Sequence, residues 1–229
     1  MNVILLLSAL IFGTLNFDNT PPVESNMTGT WMASYTDESG TEMQLVAILT
    51  DLYFSSTSFS KADGKFGMTQ GGYYTIKDKT ISLYFEYNSA DASVVGSTSE
   101  MQFVLDGDSF HFVDDNLKWK RVDSGQPGAL AGAWLITGRK QGEELRTMTP
   151  GARKTMKILS GTWFQWIAFN SDTGEFFGTG GGEYTTKEGK YTEVIEFFSR
   201  DDSRVGASLQ FDYEVKDGQW HHSGLSSRG

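Results

Sequence analysis

Six residues in the C-terminal half of the chain carry groups from which a binding site could be built: Lys157, Trp166, Tyr184, Tyr191, Glu193 and His222. An ammonium, a carboxylate and several large rings within one small unit would give apolar walls with a few polar anchors, the usual make-up of a small-molecule pocket. Successive side chains on a strand face opposite sides. That alternation puts Tyr191, Glu193, Ile195 and Phe197 on one face, and Thr192, Val194, Glu196 and Phe198 on the other. With Tyr191 and Ile195 turned inwards, Glu193 follows them and needs a cation, because a buried carboxylate without one costs roughly several kcal/mol. Lys157 and Arg204 are the candidates.

The same residues suggest an alternative chemistry. Glu193 could act as general acid or base with His222 as its partner, while Lys157 or Tyr184 stabilises a developing anion. A two-carboxylate glycosidase is disfavoured, since Glu193 and Glu196 fall on opposite faces of one strand and cannot flank one bond. The adjacent pair His221-His222 diverges in the same way, so no metal site or cofactor is expected. The run Gly178-Thr-Gly-Gly-Gly182 leads into a hairpin pattern, not a helix. It therefore lacks the aligned amides of a phosphate loop and reads as a bulge or a bend at a barrel corner.

The elements that must position these groups come in two copies. Gly71-Gly-Tyr-Tyr-Thr-Ile-Lys-Asp-Lys-Thr80 overlies Gly181-Gly-Glu-Tyr-Thr-Thr-Lys-Glu-Gly-Lys190, and the register extends from Phe54/Phe164 through Glu86/Glu196 to Val95-Gly96/Val205-Gly206. Towards the end Asp106-Gly107 matches Asp217-Gly218 and His111 matches His222; at the front Gly29-Thr-Trp31 matches Gly132-Ala-Trp134. Extra residues around Thr147–Lys154 belong to the second copy alone. Strands are predicted over Thr30–Thr36, Met43–Leu49, Leu52–Phe59, Lys65–Ile76, Thr80–Asn88, Glu100–Leu105, Ser109–Val113 and Leu117–Val122, with tight turns at Asp78-Lys79 and Asp106-Gly-Asp108. One helical turn around Pro150–Arg153 is the only helical candidate. About eight strands per copy is the number that closes a small barrel.

The expected architecture is all-β: two tandem antiparallel barrels, residues 28–123 and 133–229, joined by a linker at 124–132. The second copy has no counterpart of Leu117-Lys-Trp-Lys-Arg-Val122, so it should lack its last strand and leave an edge open. Comparing the copies also separates packing from function. Lys157, Trp166, Glu193 and His221 stand where the first copy has Ala47, Ser56, Leu83 and Phe110, whereas Glu196 and His222 match Glu86 and His111.

The Gly-x-Trp opening of each copy resembles the first-strand signature of lipocalin-like, or calycin-like, domains. The second copy is similar to such domains in secreted Bacteroidetes-type proteins through Phe164-Gln-Trp166, Gly178–Gly182 with Tyr184, Tyr191-Thr-Glu193 and Trp220-His-His-Ser-Gly224. The resemblance implies a small β-barrel, a Trp on the barrel floor and an exported location. It implies no particular reaction, because those families are largely uncharacterised.

Composition bounds the partners. The chain has 229 residues and a net charge of −10, which argues against nucleic acid and anionic membranes. Acids outnumber bases 14 to 7 over Thr28–Asp123 but only 13 to 12 over Ala129–Gly229, so the second unit is the one that tolerates an anionic ligand. With no cysteine there are no disulfides, thiol nucleophiles or thiolate metal sites. The apolar run Val3–Phe12 within residues 1–16 is too short to span a bilayer and matches a signal-peptide core, with Gly13 near a cleavage point. Asn26-Met-Thr28 would accept glycan only in a eukaryotic secretory route. The sequence therefore predicts a secreted or periplasmic protein that binds a small apolar or amphipathic molecule in its second barrel. An extracytoplasmic enzyme using Glu193 and His222 on a carbohydrate or lipid-like substrate is the alternative. A structural domain with filled barrels, presenting its faces to another protein, is the third reading.

Overall fold

A computed structural model describes residues 8–14, 27–126, 128–141 and 144–224. Among the described residues seventeen strands build a closed barrel and a second, curled barrel-like sheet, from which one strand extends as a flap. The first comprises β2 (Gly29–Thr36), β3 (Glu42–Leu49), β4 (Tyr53–Ser60), β5 (Phe66–Lys77), β6 (Thr80–Asn88), β7 (Thr98–Asp106), β8 (Ser109–Phe112) and β9 (Trp119–Asp123). Every neighbouring pair in it is antiparallel, and β9 closes the barrel onto β2. All eight predicted strands are present, with ends moved by a residue or two.

The second unit contains β10 (Gly132–Gln141), β11 (Glu144–Thr147), β12 (Arg153–Leu159), β13 (Trp163–Asn170), β14 (Phe176–Lys187), β15 (Lys190–Phe198), β16 (Ser208–Lys216) and β17 (Gln219–Gly224). β11 pairs only with β10 and accounts for part of the extra length of this copy. The predicted turn at Pro150–Arg153 is not helical; β12 begins at Arg153 and is in register with β13 at every residue from Arg153 to Leu159. No strand follows β17 among the described residues, as the missing Leu117–Val122 counterpart led us to expect. The place is taken from the other end of the chain: β1 (Ser8–Thr14) lies antiparallel between β17 and β10. Part of the run read as an export signal is thus a strand. Asn26 and residues 1–7 lie outside the described residues, and no helix among those described is long and apolar enough to cross a membrane.

Each floor is built identically. Trp31 Nε1 donates to the Met27 carbonyl at 2.9 Å and Trp134 Nε1 to the Leu130 carbonyl at 2.8 Å, so each indole is buried with its one donor satisfied. Glycines shape the walls. Between Gly181 and Gly182 the register with β15 slips, leaving Glu196 as the extra residue, and the same happens at Gly71/Gly72 opposite Glu86. Gly182 has φ +155, and a Cβ there would run into the Val194 carbonyl. The glycine run is therefore the bulged corner expected of it. The slip also corrects the alternation drawn from sequence: Tyr191, Glu193 and Ile195 face inwards, but Phe197 turns out to the other barrel and Phe198 turns in.

The structure also corrects the last part of the repeat. β7–β8 pairs Asp106 with Ser109 and Leu105 with Phe110; β16–β17 pairs Lys216 with Gln219 and Val215 with Trp220. Phe110 therefore corresponds to Trp220, His111 to His221 and Phe112 to His222. Matching the two Asp-Gly pairs had shifted this alignment by one residue, because the dipeptide sits one place later in the second hairpin.

The barrels pack outer wall to outer wall with a pseudo-two-fold relation. Phe59 stacks on Phe197 at 5.1 Å, and their counterparts Phe169 and Tyr87 meet at 4.8 Å. Phe66 stacks on its own equivalent, Phe176, at 6.1 Å. Ser55 and Gln165, equivalent residues 110 apart, hydrogen-bond across the axis at 2.5 Å, and Gln165 Nε2 donates to both Thr69 and Thr179 at 2.9 Å. This is an isologous interface made within one chain. Asp123 adds a staple between the units, accepting from Ser160, Gly161 and Thr162.

Candidate functional site

All six residues singled out in the sequence project into the second barrel. Lys157 on β12 is directly opposite Trp166 on β13, and Tyr184 on β14 directly opposite Glu193 on β15. Tyr191 and His222 complete the group, with ring centroids 5.6 Å apart. Lys157 Nζ donates to Glu193 Oε1, so Lys157 and not Arg204 is the cation Glu193 requires. Arg204 lies instead beside Asp201 at 3.8 Å.

Lys157 is 8% exposed and Glu193 4%, so this ion pair is buried. Burial pushes the Lys157 ammonium below its ordinary range, and the Glu193 carboxylate opposes that shift. Four rings surround the ammonium: Tyr191 at 4.8 Å, Phe164 and Trp220 at 5.4 Å, and Phe211 at 5.8 Å from their centroids. These distances are within reach of cation–π attraction. Burial, then the Glu193 charge, pushes the Tyr191 hydroxyl well above its usual range.

His222 packs on Phe211 at 4.1 Å. Burial first, and the Lys157 charge second, push its imidazole down to about 2. It is therefore an uncharged imidazole across the physiological range, with one N–H donor and one acceptor nitrogen to offer.

Tyr184 anchors the lower wall by donating to the Ser160 carbonyl at 2.6 Å. Trp166 is half-buried and lies against Phe198 at 5.5 Å. Gly180 makes its position possible, since a Cβ there would come within 2.6 Å of Trp166 Nε1.

The first barrel serves as an internal control. Its positions equivalent to Lys157, Glu193 and His222 are Ala47, Leu83 and Phe112, all part of an apolar core with Phe54, Tyr74 and Phe110. The sequence comparison of the copies matches His222, one of the six candidates, to His111 and so does not mark it as peculiar to the second barrel. With the register corrected, it joins Lys157 and Glu193 as a polar group found only in the second barrel. The hairpin pairing, not residue identity, is the signal that finds it.

Glu86 and Glu196 are different. Both are the extra residue of a bulge and both face the barrel interface. Glu86 accepts from Tyr53 at 2.9 Å and pairs with Lys154. In the repeat register Trp163 and Gln44 stand at the positions equivalent to Tyr53 and Lys154, so the ion-pairing lysine of Glu86 has no charged equivalent for Glu196. Burial, with Glu183 adding repulsion, raises its carboxyl to about 7. It borders a cleft of about 260 Å³ between the units, with Lys61 and Val205.

The closed antiparallel barrel with a tryptophan on its floor is consistent with a lipocalin-like fold in general. Compared with models of known protein families, with curated proteins and with solved structures, the chain matches none.

Proposed function

We propose that the protein binds a small amphipathic molecule in its second barrel. The apolar part would lie against Phe164, Tyr191, Phe211 and Trp220, and the polar head would exchange hydrogen bonds with Lys157, Glu193 and His222. One observation carries this reading: three buried polar groups interrupt the second interior where the otherwise equivalent first interior is apolar. A buried ion pair is poor value for stability alone, since apolar replacements are often neutral or better. Its presence in one copy only is best explained by recognition. The near balance of charge over Ala129–Gly229 suits a ligand that is neutral or weakly anionic. Export, with loss of residues 1–16, and kinship with secreted lipocalin-like domains belong to the same proposal.

A competing reading makes both barrels filled scaffolds for protein contacts. The completeness with which four rings and Glu193 surround the Lys157 ammonium favours it. Catalysis has less behind it, because burial leaves the His222 imidazole a weak base at neutral pH and Glu193 is already paired with Lys157.

Tryptophan fluorescence separates the two leading readings, since Trp166 and Trp220 border the proposed site. Titration with fatty acids, bile-acid-like amphiphiles and oligosaccharides should give a saturable change with one amphiphile class, and Trp166→Leu should reduce it. An unchanged spectrum across the panel would favour the filled scaffold.

A further inference from the structure

The two barrels close differently. In the first, β9 follows β8 in sequence and pairs with β8 and β2. In the second the corresponding position is filled by β1, with the whole first barrel intervening in the chain. Ser8 through Thr14 run opposite Gln141 through Trp134 of β10, and Ser8 through Gly13 run opposite Gly224 through Gln219 of β17. One short strand thus satisfies two sheet edges. Without it both edges would expose unpaired amides and carbonyls beside Trp220 and His222, an open invitation to strand pairing.

We propose that the seat between β10 and β17 is an exchangeable strand-acceptor site, which takes an extended, apolar, antiparallel segment. Main-chain hydrogen bonds to both walls supply affinity, and alternate positions supply selectivity. The occupant in the structure defines the preferred chemistry. The backbone register sets Leu10 opposite His222 and Phe12 opposite Trp220, and the strand that fills the seat has the apolar sequence Ser8-Ala-Leu-Ile-Phe-Gly-Thr14. Resting on the export reading, the consequence is that loss of residues 1–16 leaves the seat for a strand of this chemistry from another polypeptide.

The test uses the full chain carrying a protease site within residues 17–26, folded first and then cut. The released N-terminal fragment should remain bound, and isotope-labelled peptide of residues 8–14 should replace it over time. The same peptide with proline in place of Ile11 should replace it at least about tenfold less, since proline removes a main-chain donor from the middle of the strand. Removing the fragment should raise amide hydrogen exchange in β10 and β17. Retention without exchange, release without rebinding, or unchanged protection in both walls would overturn the proposal. The mass of the exported protein tests the export reading separately: an intact Met1 end would contradict leader removal and leave the peptide result standing.

Discussion

Lys157 and Glu193 form an ion pair inside the second barrel, at the two positions where the first barrel carries Ala47 and Leu83. The duplicated unit thus presents one interior in two versions, apolar and charged. Breaking the pair from one side leaves an uncompensated buried charge. Lys157→Met alone should therefore destabilise the protein by about 3–5 kcal/mol in urea unfolding. The double variant Lys157→Met/Glu193→Leu, which restores the first barrel's character, should recover most of that loss. Equal losses in the single and double variants would mean that the pair contributes to folding in its own right.

His222 gives the interior a pH signature. Its folded value of about 2 lies below the ordinary 6.5, so the unfolded chain takes up a proton that the folded barrel refuses. The contribution is nil above pH 6.5. Stability then falls as pH drops, by about 1.4 kcal/mol per pH unit for this group. In His222→Phe that slope should disappear from the profile of unfolding free energy between pH 6.5 and the onset of general acid denaturation.

Glu196 acts with the opposite sign. Its carboxyl is raised to about 7 from 4.5, so the folded state gains stability as pH falls through 7 towards 4.5 and loses it as pH rises through the same window, with no further change above 7. Glu196→Gln should be more stable than the parent at pH 8, on the order of 1 kcal/mol after solvent screening, and no more stable at pH 4.5. Chemical denaturation at the two values checks both signs.

Gln165 ties the barrels together, meeting Ser55, Thr69 and Thr179 at the pseudo-two-fold axis. Replacing it by leucine would leave buried partners short of hydrogen bonds, costing roughly 1–3 kcal/mol. The loss should appear as separation of the two units' unfolding transitions in calorimetry.

Much of this architecture was legible because local rules suffice for it. Short alternating runs, Asp-Gly turns and a repeat gap-free over its central strands marked out eight strands in the first copy, and the shared face of Tyr191 and Glu193 followed from the two-residue period. What escaped the sequence depended on pairing. The bulge at Glu196 reverses the faces of Phe197 and Phe198, and only the opposing glycines reveal it. The His222 equivalence was lost because identical dipeptides occupy different turn positions. Ser8–Thr14 joins strands far away in the chain, and no local pattern distinguishes such a strand from the apolar core of an export signal.

The most direct test of the central claim is a thermal-shift screen of the protein and its Lys157→Met/Glu193→Leu variant against the same amphiphile panel. A ligand at a hundred times its dissociation constant should add about 2.7 kcal/mol, moving the parent's transition by several degrees. The account predicts such a shift in the parent and its loss in a variant that remains folded. An equal shift in both would place binding elsewhere, and no shift in either would contradict a ligand site in the second barrel.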